Sequence, residues 1–283
     1  MNNAAKNKKL RKELKKDWWK YLVAVVLSVV YLLPIYVVLV TSLKTKTDFS
    51  SRLVPPTELH FENYVRVFLE SGIINAYKNT AIIAVGTIFL IIILGCLAAY
   101  PMARCKNRLA KIVRLYVLGV MMIPGICMIV GVYSTLISIN AESTYWGMIL
   151  VLTAFYLPLA IFMYSNFIGG IPVSLDEAAM VDGAGPIQTF FRVILPQLKP
   201  VTVSVILIQG IAVWNEFEYA LYLLQKPSVY NITLVVKQFF SGMNKELNVA
   251  AACAVVAILP ILVVYIVLQR YFIEGAMNSA IKG

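Results

Sequence analysis

Two carboxylates, Glu216 and Glu218, lie in a long apolar segment towards the end of the sequence, beside Trp214, Asn215 and Tyr219. Ionisable side chains in a segment of membrane length are energetically costly, and they tend to mark a functional path. Paired acids could relay protons, which would make the chain a gradient-driven transporter. The other interpretation is a hydrogen-bonded polar seam that lines a water-filled cavity or joins helices. The remaining apolar segments carry almost no charge to extend a relay, so we predict that these five residues line a translocation path.

The sequence contains few residues that could bind a nucleotide or a metal ion. There is no GxxxxGK[ST] phosphate-binding loop, so we expect ATP hydrolysis to take place in a separate subunit. We therefore predict a transport subunit that is not an enzyme and holds no cofactor of its own. His60 is the only histidine, which argues against a histidine-based metal site or a catalytic triad. We predict that Cys96, Cys105, Cys127 and Cys253 are small buried residues rather than disulfides.

The composition is that of a membrane protein. Of the 283 residues, 60% are hydrophobic and 14% are charged, with a mean hydropathy of +0.79, whereas about a quarter of a soluble domain is charged. We predict an all-α polytopic membrane protein, with a basic tail over residues 1–20 and a C-terminal tail over residues 273–283. Six segments are long enough to cross a bilayer: residues 21–43, 80–100, 112–137, 146–168, 200–224 and 249–272. Kinks are expected at the prolines inside them, which are Pro34, Pro124, Pro158 and Pro260.

The distribution of Lys and Arg predicts the orientation. If the N-terminus is cytoplasmic, 17 of the 25 basic residues lie on the cytoplasmic side and 8 lie outside. An excess of basic residues in cytoplasmic loops is typical of membrane proteins. Both termini and the loop between the fourth and fifth spans are therefore predicted to be cytoplasmic. The net charge of +11 is then a topology signal, and we expect no nucleic-acid partner.

The loop between the fourth and fifth spans has the pattern of two short helices joined by a tight turn. Ser174 and Glu177 have the spacing of a capping box, which predicts a helix that starts at Ser174. The run Gly183-Ala184-Gly185-Pro186 predicts the turn, with Gly183 at a position that favours positive φ and Pro186 in the first position of the second helix. Leu195-Pro196 is predicted to end that second helix. A short helix–turn–helix segment of this kind could bind a soluble partner and receive its movement.

The same residues resemble the EAA loop of binding-protein-dependent ABC importer permeases. That pattern is EAA, three residues, Gly, nine residues, Ile, one residue and Leu-Pro, and Val193 stands here in place of Ile. The resemblance implies a cytoplasmic coupling helix between spans 4 and 5 that docks on an ATPase. The positions that it assigns to coupling are Glu177, Ala178, Ala179, Asp182, Gly183, Ala184, Leu195 and Pro196.

Further motifs resemble the carbohydrate-uptake branch of that family, in particular the second permease of the maltose type. They are Trp214-Asn215-Glu216-Phe217, Thr233-Leu234, and 269–275 with the terminal Lys282-Gly283. The resemblance implies that the C-terminal tail, with Glu274, Gly275 and Lys282, contacts the ATPase. It also implies that the last outer loop probes the sugar site of a binding protein. The residues of that loop are Phe239, Phe240, Ser241, Gly242, Met243 and Asn244.

The resemblance also implies that the chain is part of a multisubunit transporter in a bacterial cell membrane. The chain would pair with a second permease, with two ATPase subunits that bind ATP and Mg²⁺, and with an extracytoplasmic sugar-binding protein. Transport would proceed by alternating access, as ATP closes the ATPase dimer. Two alternatives stay open: the same machine with an amino acid, peptide or polyamine as cargo, and a gradient-driven secondary transporter that uses Glu216 and Glu218.

Overall fold

The computed structural model describes residues 3–105, 107–241 and 246–280, with side chains for 18–105, 107–240 and 246–269. Within those ranges every regular element is a helix. The α-helices are α1 Asn3–Ser42, α2 Glu62–Glu70, α3 Ile73–Arg104, α4 Arg108–Val120, α5 Ile129–Ser138, α6 Tyr145–Gly169, α7 Ser174–Val181, α8 Pro186–Thr189, α9 Lys199–Trp214, α10 Glu218–Leu223, α11 Ile232–Ser241 and α12 Leu247–Ala280. Short 3₁₀ turns cover Gly125–Met128, Leu195–Leu198 and Pro227–Val229, and a π-helical turn covers Phe190–Ile194.

Five helical stretches of the described chain are long and apolar enough to cross a membrane, and a bent pair makes a sixth. The five are Trp18–Ser42, Ile73–Arg104, Tyr145–Gly169, Pro186–Trp214 and Leu247–Gln269. The sixth consists of Arg108–Val120 and Gly125–Ser138, which meet at 92°. The all-helical polytopic fold predicted from the sequence is thereby confirmed.

Three of the predicted segments differ in detail from the helices. The predicted third segment, 112–137, is two helices at a sharp bend, because the backbone of Pro124 is extended and interrupts the helical hydrogen bonds. The helical stretch that corresponds to the predicted fifth segment, 200–224, begins at Pro186 and ends at Trp214, so that predicted segment contains a break at Asn215. The basic tail is helical and continues directly into the first span.

The chain divides into two compact units, residues 1–69 with 239–256 and residues 70–238 with 257–283. In the first unit, buried Asn63 of α2 donates to the backbone carbonyls of Ser42 and Lys44. The carboxylate of Glu246 binds Arg66 and Lys46, and the hydrogen bond from Arg66 is the main cause that lowers the pKa of Glu246. These contacts fix the segment that follows α1 within its own unit.

The second unit is built on α3 and α6, which run in the same direction and pack closely. Tyr145 at the start of α6 donates to Asn79 near the start of α3, at 2.8 Å. Further along, a Cβ on Gly95 would lie 3.3 Å from both Ala160 and Tyr164. Small residues let membrane helices approach closely, so that dispersion contacts hold them together. We call this pair the frame: α9 packs against both helices, and a hydrogen bond joins α7 to α3.

Candidate functional site

The α7–α8 segment, residues 174–189, forms the predicted helix, turn and helix. Gly183 has φ +82° and follows the last turn of α7. The amide of Ala184 donates to the carbonyl of Ala179, and the amide of Gly183 donates to the carbonyl of Met180. This pair of bonds is a Schellman motif, in which the residue with positive φ is usually glycine. The predicted turn and the predicted place of Pro186 at the start of α8 are confirmed.

The predicted capping box at Ser174 is wrong. The residue in the N-cap position is Val173, and no side chain caps the helix. The backbone of Val173 already has helical angles, whereas a side-chain cap needs an extended residue at that point. Ser174 therefore lies inside the first turn, and the exposed side chain of Glu177 is free to meet a partner instead of its own backbone.

Leu195-Pro196 does not end the second helix, which is a further correction. Pro196 has no amide hydrogen, so one ordinary helical hydrogen bond cannot form there. The chain absorbs the loss by widening into the π-helical turn Phe190–Ile194, where the amide of Leu195 donates to the carbonyl of Phe190. A 3₁₀ turn follows and leads directly into α9. The α7–α8 segment is thus continuous with the helix of the fifth span.

A buried ion pair anchors α7 to the frame. Arg104, the last residue of α3, donates to the carboxylate of Asp176 at 2.8 Å, and the hydroxyl of Tyr100 donates to the other carboxylate oxygen at 2.8 Å. Arg104 also donates to the backbone carbonyls of Ile168 and Ile171, at 3.0 and 3.1 Å. Asp176 is 4% exposed, so Arg104 is the counter-ion of its carboxylate and Tyr100 adds a hydrogen bond in place of water. One guanidinium therefore joins α3, the end of α6 and α7.

The opposite face of the α7–α8 segment is open and partly apolar. Val181 is 88% exposed and Ile187 is 74% exposed, and Met180 is more than half exposed. Glu177 and Asp182 are exposed as well, so the segment presents both apolar side chains and carboxylates. A contiguous segment of this composition is typical of a protein–protein contact.

The predicted path residues surround the break in the fifth span. Glu216 is buried, and its carboxylate accepts hydrogen bonds from the hydroxyl of Tyr156 at 3.1 Å and the amide of Tyr219 at 2.8 Å. Asn215 and Glu218 are exposed, and they line a cavity of about 600 Å³ together with Glu216 and Tyr219. Trp214 does not line it, because its indole nitrogen donates to the carbonyl of Ala257.

The segments predicted to be the last outer loop and the C-terminal tail are only partly described. Phe239, Phe240 and Ser241 belong to α11, whereas Gly242, Met243 and Asn244 lie outside the described residues. Glu274 and Gly275 belong to α12, and Lys282 lies outside the described residues. Their assigned roles stay predictions.

The cysteines follow the prediction in part. Cys96 and Cys253 are buried, but Cys105 and Cys127 are exposed, because they lie at helix ends rather than on packed faces. All four are free thiols, as expected. Across the described residues, no group of three His, Cys, Asp or Glu side chains is arranged to hold a metal ion.

Sequence reasoning missed the anchor formed by Tyr100, Arg104 and Asp176. The available signal was weak: Asp176 and Ala179 are three residues apart on α7, so a charged residue shares the face of a motif alanine. The partner, Arg104, is far away in the chain, and only the fold brings them together.

The membrane-length helices and the exposed α7–α8 segment define the membrane-spanning subunit of a transport system. The chain belongs to the family described as "Binding-protein-dependent transport system inner membrane component", which matches residues 91–276. It is accordingly a multi-pass membrane protein and a transport component without an ATPase site of its own.

Two relatives and one solved structure are similar over almost the whole chain. The melibiose/raffinose/stachyose import permease protein MelC of Bacillus subtilis (strain 168) is 36% identical, over 93% of this chain and 95% of that protein. The probable starch degradation products transport system permease protein AmyC of Thermoanaerobacterium thermosulfurigenes is 30% identical, over 93% and 97%. A bacterial ABC transporter that imports the acidic polysaccharide alginate has a chain of the same fold, with a TM-score of 0.79, 21% identity and coverage of 93% and 98%.

Proposed function

We propose that this chain is the permease subunit of an ATP-driven importer that carries a sugar or an oligosaccharide across the cell membrane. The observation that carries the proposal is the α7–α8 segment, which is fixed to α3 and α6 by a buried ion pair and exposes an apolar surface. Such a segment can bind a soluble subunit and pass its motion to the spans. The sugar cargo is supported by the names of the relatives, which are import permeases for sugars and starch degradation products.

The proposed complex contains a second permease, two ATPase subunits and an extracytoplasmic binding protein. ATP and Mg²⁺ would be held by the ATPase subunits. Glu177, Ala178, Asp182 and Ala184 would lie at the contact with the ATPase, and Ala179 would pack beneath it, since Ala179 is buried on the inner face of α7. Leu195 and Pro196 would transmit the displacement into the fifth span.

The proposed topology places both termini in the cytoplasm. The α7–α8 segment then lies on the same side as the end of α12, so Glu274, Gly275 and Lys282 could reach the ATPase as well. Transport would be driven by alternating access, in which ATP binds one state of the complex more tightly than the other and so shifts the population between them.

Uptake into cells or vesicles tests the energy source. We expect accumulation of a neutral sugar to continue after an uncoupler collapses the proton gradient and to stop when ATP is depleted. A proton-coupled sugar transporter measured in the same vesicles is the control, and it should respond in the opposite way. Uptake that stops with the uncoupler while ATP stays high would support a secondary transporter that uses Glu216 and Glu218.

The last outer loop gives a second prediction. We propose that Phe239–Asn244 reaches the sugar cleft of the binding protein, because Ser241 and Asn244 supply hydrogen-bonding groups and Gly242 permits a tight turn. Deletion of residues 241–244 should leave complex assembly intact and reduce the stimulation of ATP hydrolysis by the sugar-loaded binding protein severalfold. Replacement of the same residues by a linker of equal length controls for the altered connection. Unchanged stimulation and uptake in both variants would make this segment a simple linker.

A further inference from the structure

Helix α2 is attached directly to the end of the first membrane span. Buried Asn63 donates to the backbone carbonyl of Ser42 at 2.8 Å, and the hydroxyl oxygens of Ser42 and Tyr64 are 2.6 Å apart. Ser42 is the last residue of α1 and of the first membrane-length stretch, Trp18–Ser42. Because two side chains of α2 contact this residue, α2 lies at the level where the first span leaves the bilayer.

Two faces of α2 have a recognisable role in the folded chain. Asn63 and Val67 are buried and share the face that packs inside the first unit. Glu62, Arg66 and Glu70 follow one another at intervals of four residues. Side chains four residues apart lie on the same side of a helix, so these three form a charged face.

The third face of α2 is apolar and exposed. It consists of Phe61, directly before the helix, and of Val65, Phe68 and Leu69 within it. Successive helical residues are about 100° apart, which places these four side chains within an arc of about 100° beside the charged face. Leu69 is 79% exposed, and the other three are also exposed. An apolar stripe beside a charged face is typical of a helix that lies in the plane of the membrane interface.

We propose that α2 is an interfacial helix, whose apolar face inserts among the lipid acyl chains at the bilayer surface where the first span ends. The charged face would then lie at the level of the lipid headgroups. Lipid is the occupant because the helix is bonded to the end of a span and its apolar stripe has charge along one edge and protein along the other. The proposal depends on the membrane location of the chain and makes no assumption about its cargo.

The contacts of α2 extend its attachment to the start of α12. The carbonyl of Lys44 accepts hydrogen bonds from Asn63 of α2 at 2.9 Å and from Asn248 of α12 at 2.8 Å. Arg66 of α2 also binds the carboxylate of Glu246, directly before α12. Insertion of α2 into the lipid would therefore hold the start of α12 at a fixed depth as well.

Spin labels on the assembled complex in nanodiscs test the proposal. Exposed Cys105 and Cys127 are replaced by serine, the reactive cysteines of the partner subunits are removed, and a nitroxide is attached to Leu69→Cys or, as the control on the charged face, to Glu62→Cys. Collisions of each label with molecular oxygen, which dissolves in lipid, and with a water-soluble nickel chelate are measured. We expect the ratio of oxygen to nickel collisions to be about fivefold higher at residue 69 than at residue 62.

Other occupants of the apolar face would give different results, and each of them would overturn the proposal. Equal ratios at residues 69 and 62 would mean that the face is in water. A label at residue 69 that is shielded from both reagents would mean that another subunit covers it. A label that meets the nickel chelate until the binding protein is added would mean that the face is a docking surface for that protein.

A charge on the apolar face provides a second measurement. With the label at Val65→Cys, the added change Leu69→Asp should lower the ratio of oxygen to nickel collisions about threefold, because an ionised side chain is costly among acyl chains. Glu62→Asp keeps the charge on the charged face and should leave the ratio unchanged. An unchanged ratio in Leu69→Asp would contradict insertion. If Leu69→Asp does not assemble, the comparison of residues 69 and 62 still decides the question.

Discussion

The replacement Arg104→Ala is expected to separate ATP hydrolysis from transport. It leaves the carboxylate of Asp176 buried with only the hydroxyl of Tyr100 as a partner, and it frees two carbonyls at the end of α6. Removal of one partner from a buried ion pair destabilises a structure by about 3–5 kcal/mol. The lost ion pair is the one that attaches α7 to α3. The ATPase should therefore still bind and hydrolyse ATP, but its movement should no longer be transmitted from α7 to the membrane spans. Sugar uptake per ATP should fall at least tenfold in reconstituted vesicles.

Arg114 offers a matched control for this experiment. It donates to the hydroxyl of Ser165 on α6, and it forms no ion pair with a carboxylate among the described side chains. Arg114→Ala should therefore reduce coupling by no more than about twofold. A milder variant, Tyr100→Phe, removes a single hydrogen bond to Asp176 and keeps the test usable if Arg104→Ala does not assemble. Coupling ratios that are equal in Arg104→Ala, Tyr100→Phe and Arg114→Ala would refute the role of the anchor.

The replacement Gly183→Val should have the second large effect. Gly183 has φ +82°, and a β-branched residue in that region is strained by at least about 1–2 kcal/mol. Relief of the strain would break the two hydrogen bonds that close α7 and would redirect the chain into α8. We expect the protein to insert in the membrane and to co-purify with the ATPase at reduced yield, with uptake lost while basal ATP hydrolysis remains.

The neighbouring glycine separates backbone strain from added bulk. Gly185 has φ −71° and ψ 168°, an extended conformation that valine adopts readily, and a Cβ there would meet no atom within 4 Å. Gly185→Val should transport at close to the wild-type rate. If Gly183→Val transports equally well, or if both variants lose uptake to the same extent, the turn does not have the assigned role in coupling.

Local chemistry explains what the sequence could predict. Gly183 permits a positive φ because it has no Cβ, and the ring of Pro186 fixes its own φ, so the turn between α7 and α8 could be predicted from these residues. The same holds for the membrane-length helices, which follow from the length of the apolar runs. The capping box failed because the backbone of Val173 is helical, and that angle depends on how α6 leads into α7 rather than on Ser174.

The anchor and the cavity depend on contacts that sequence spacing does not encode. Arg104 and Asp176 are brought together only because α3 and α6 run in parallel. Of the four prolines that predicted kinks, Pro34, Pro158 and Pro260 lie within single helices, whereas Pro124 lies at the 92° bend between α4 and α5. What differs at Pro124 is its neighbour: Gly125 has no side chain, which allows Tyr219 to occupy the inside of the bend.

The tie at each end of α3 makes this helix a connecting rod. At one end Arg104 holds α7, and at the other end Asn79 donates to the carbonyls of Ser228 and Tyr230, at 3.0 and 2.8 Å. The stretch between them is about 38 Å long at 1.5 Å per residue. Because α6 is packed along it, this rod resists bending, and a displacement applied to α7 reaches Ser228 and Tyr230 with little loss. We therefore expect a displacement of α7 to shift the segment before α11, which is bonded to the opposite end of α3.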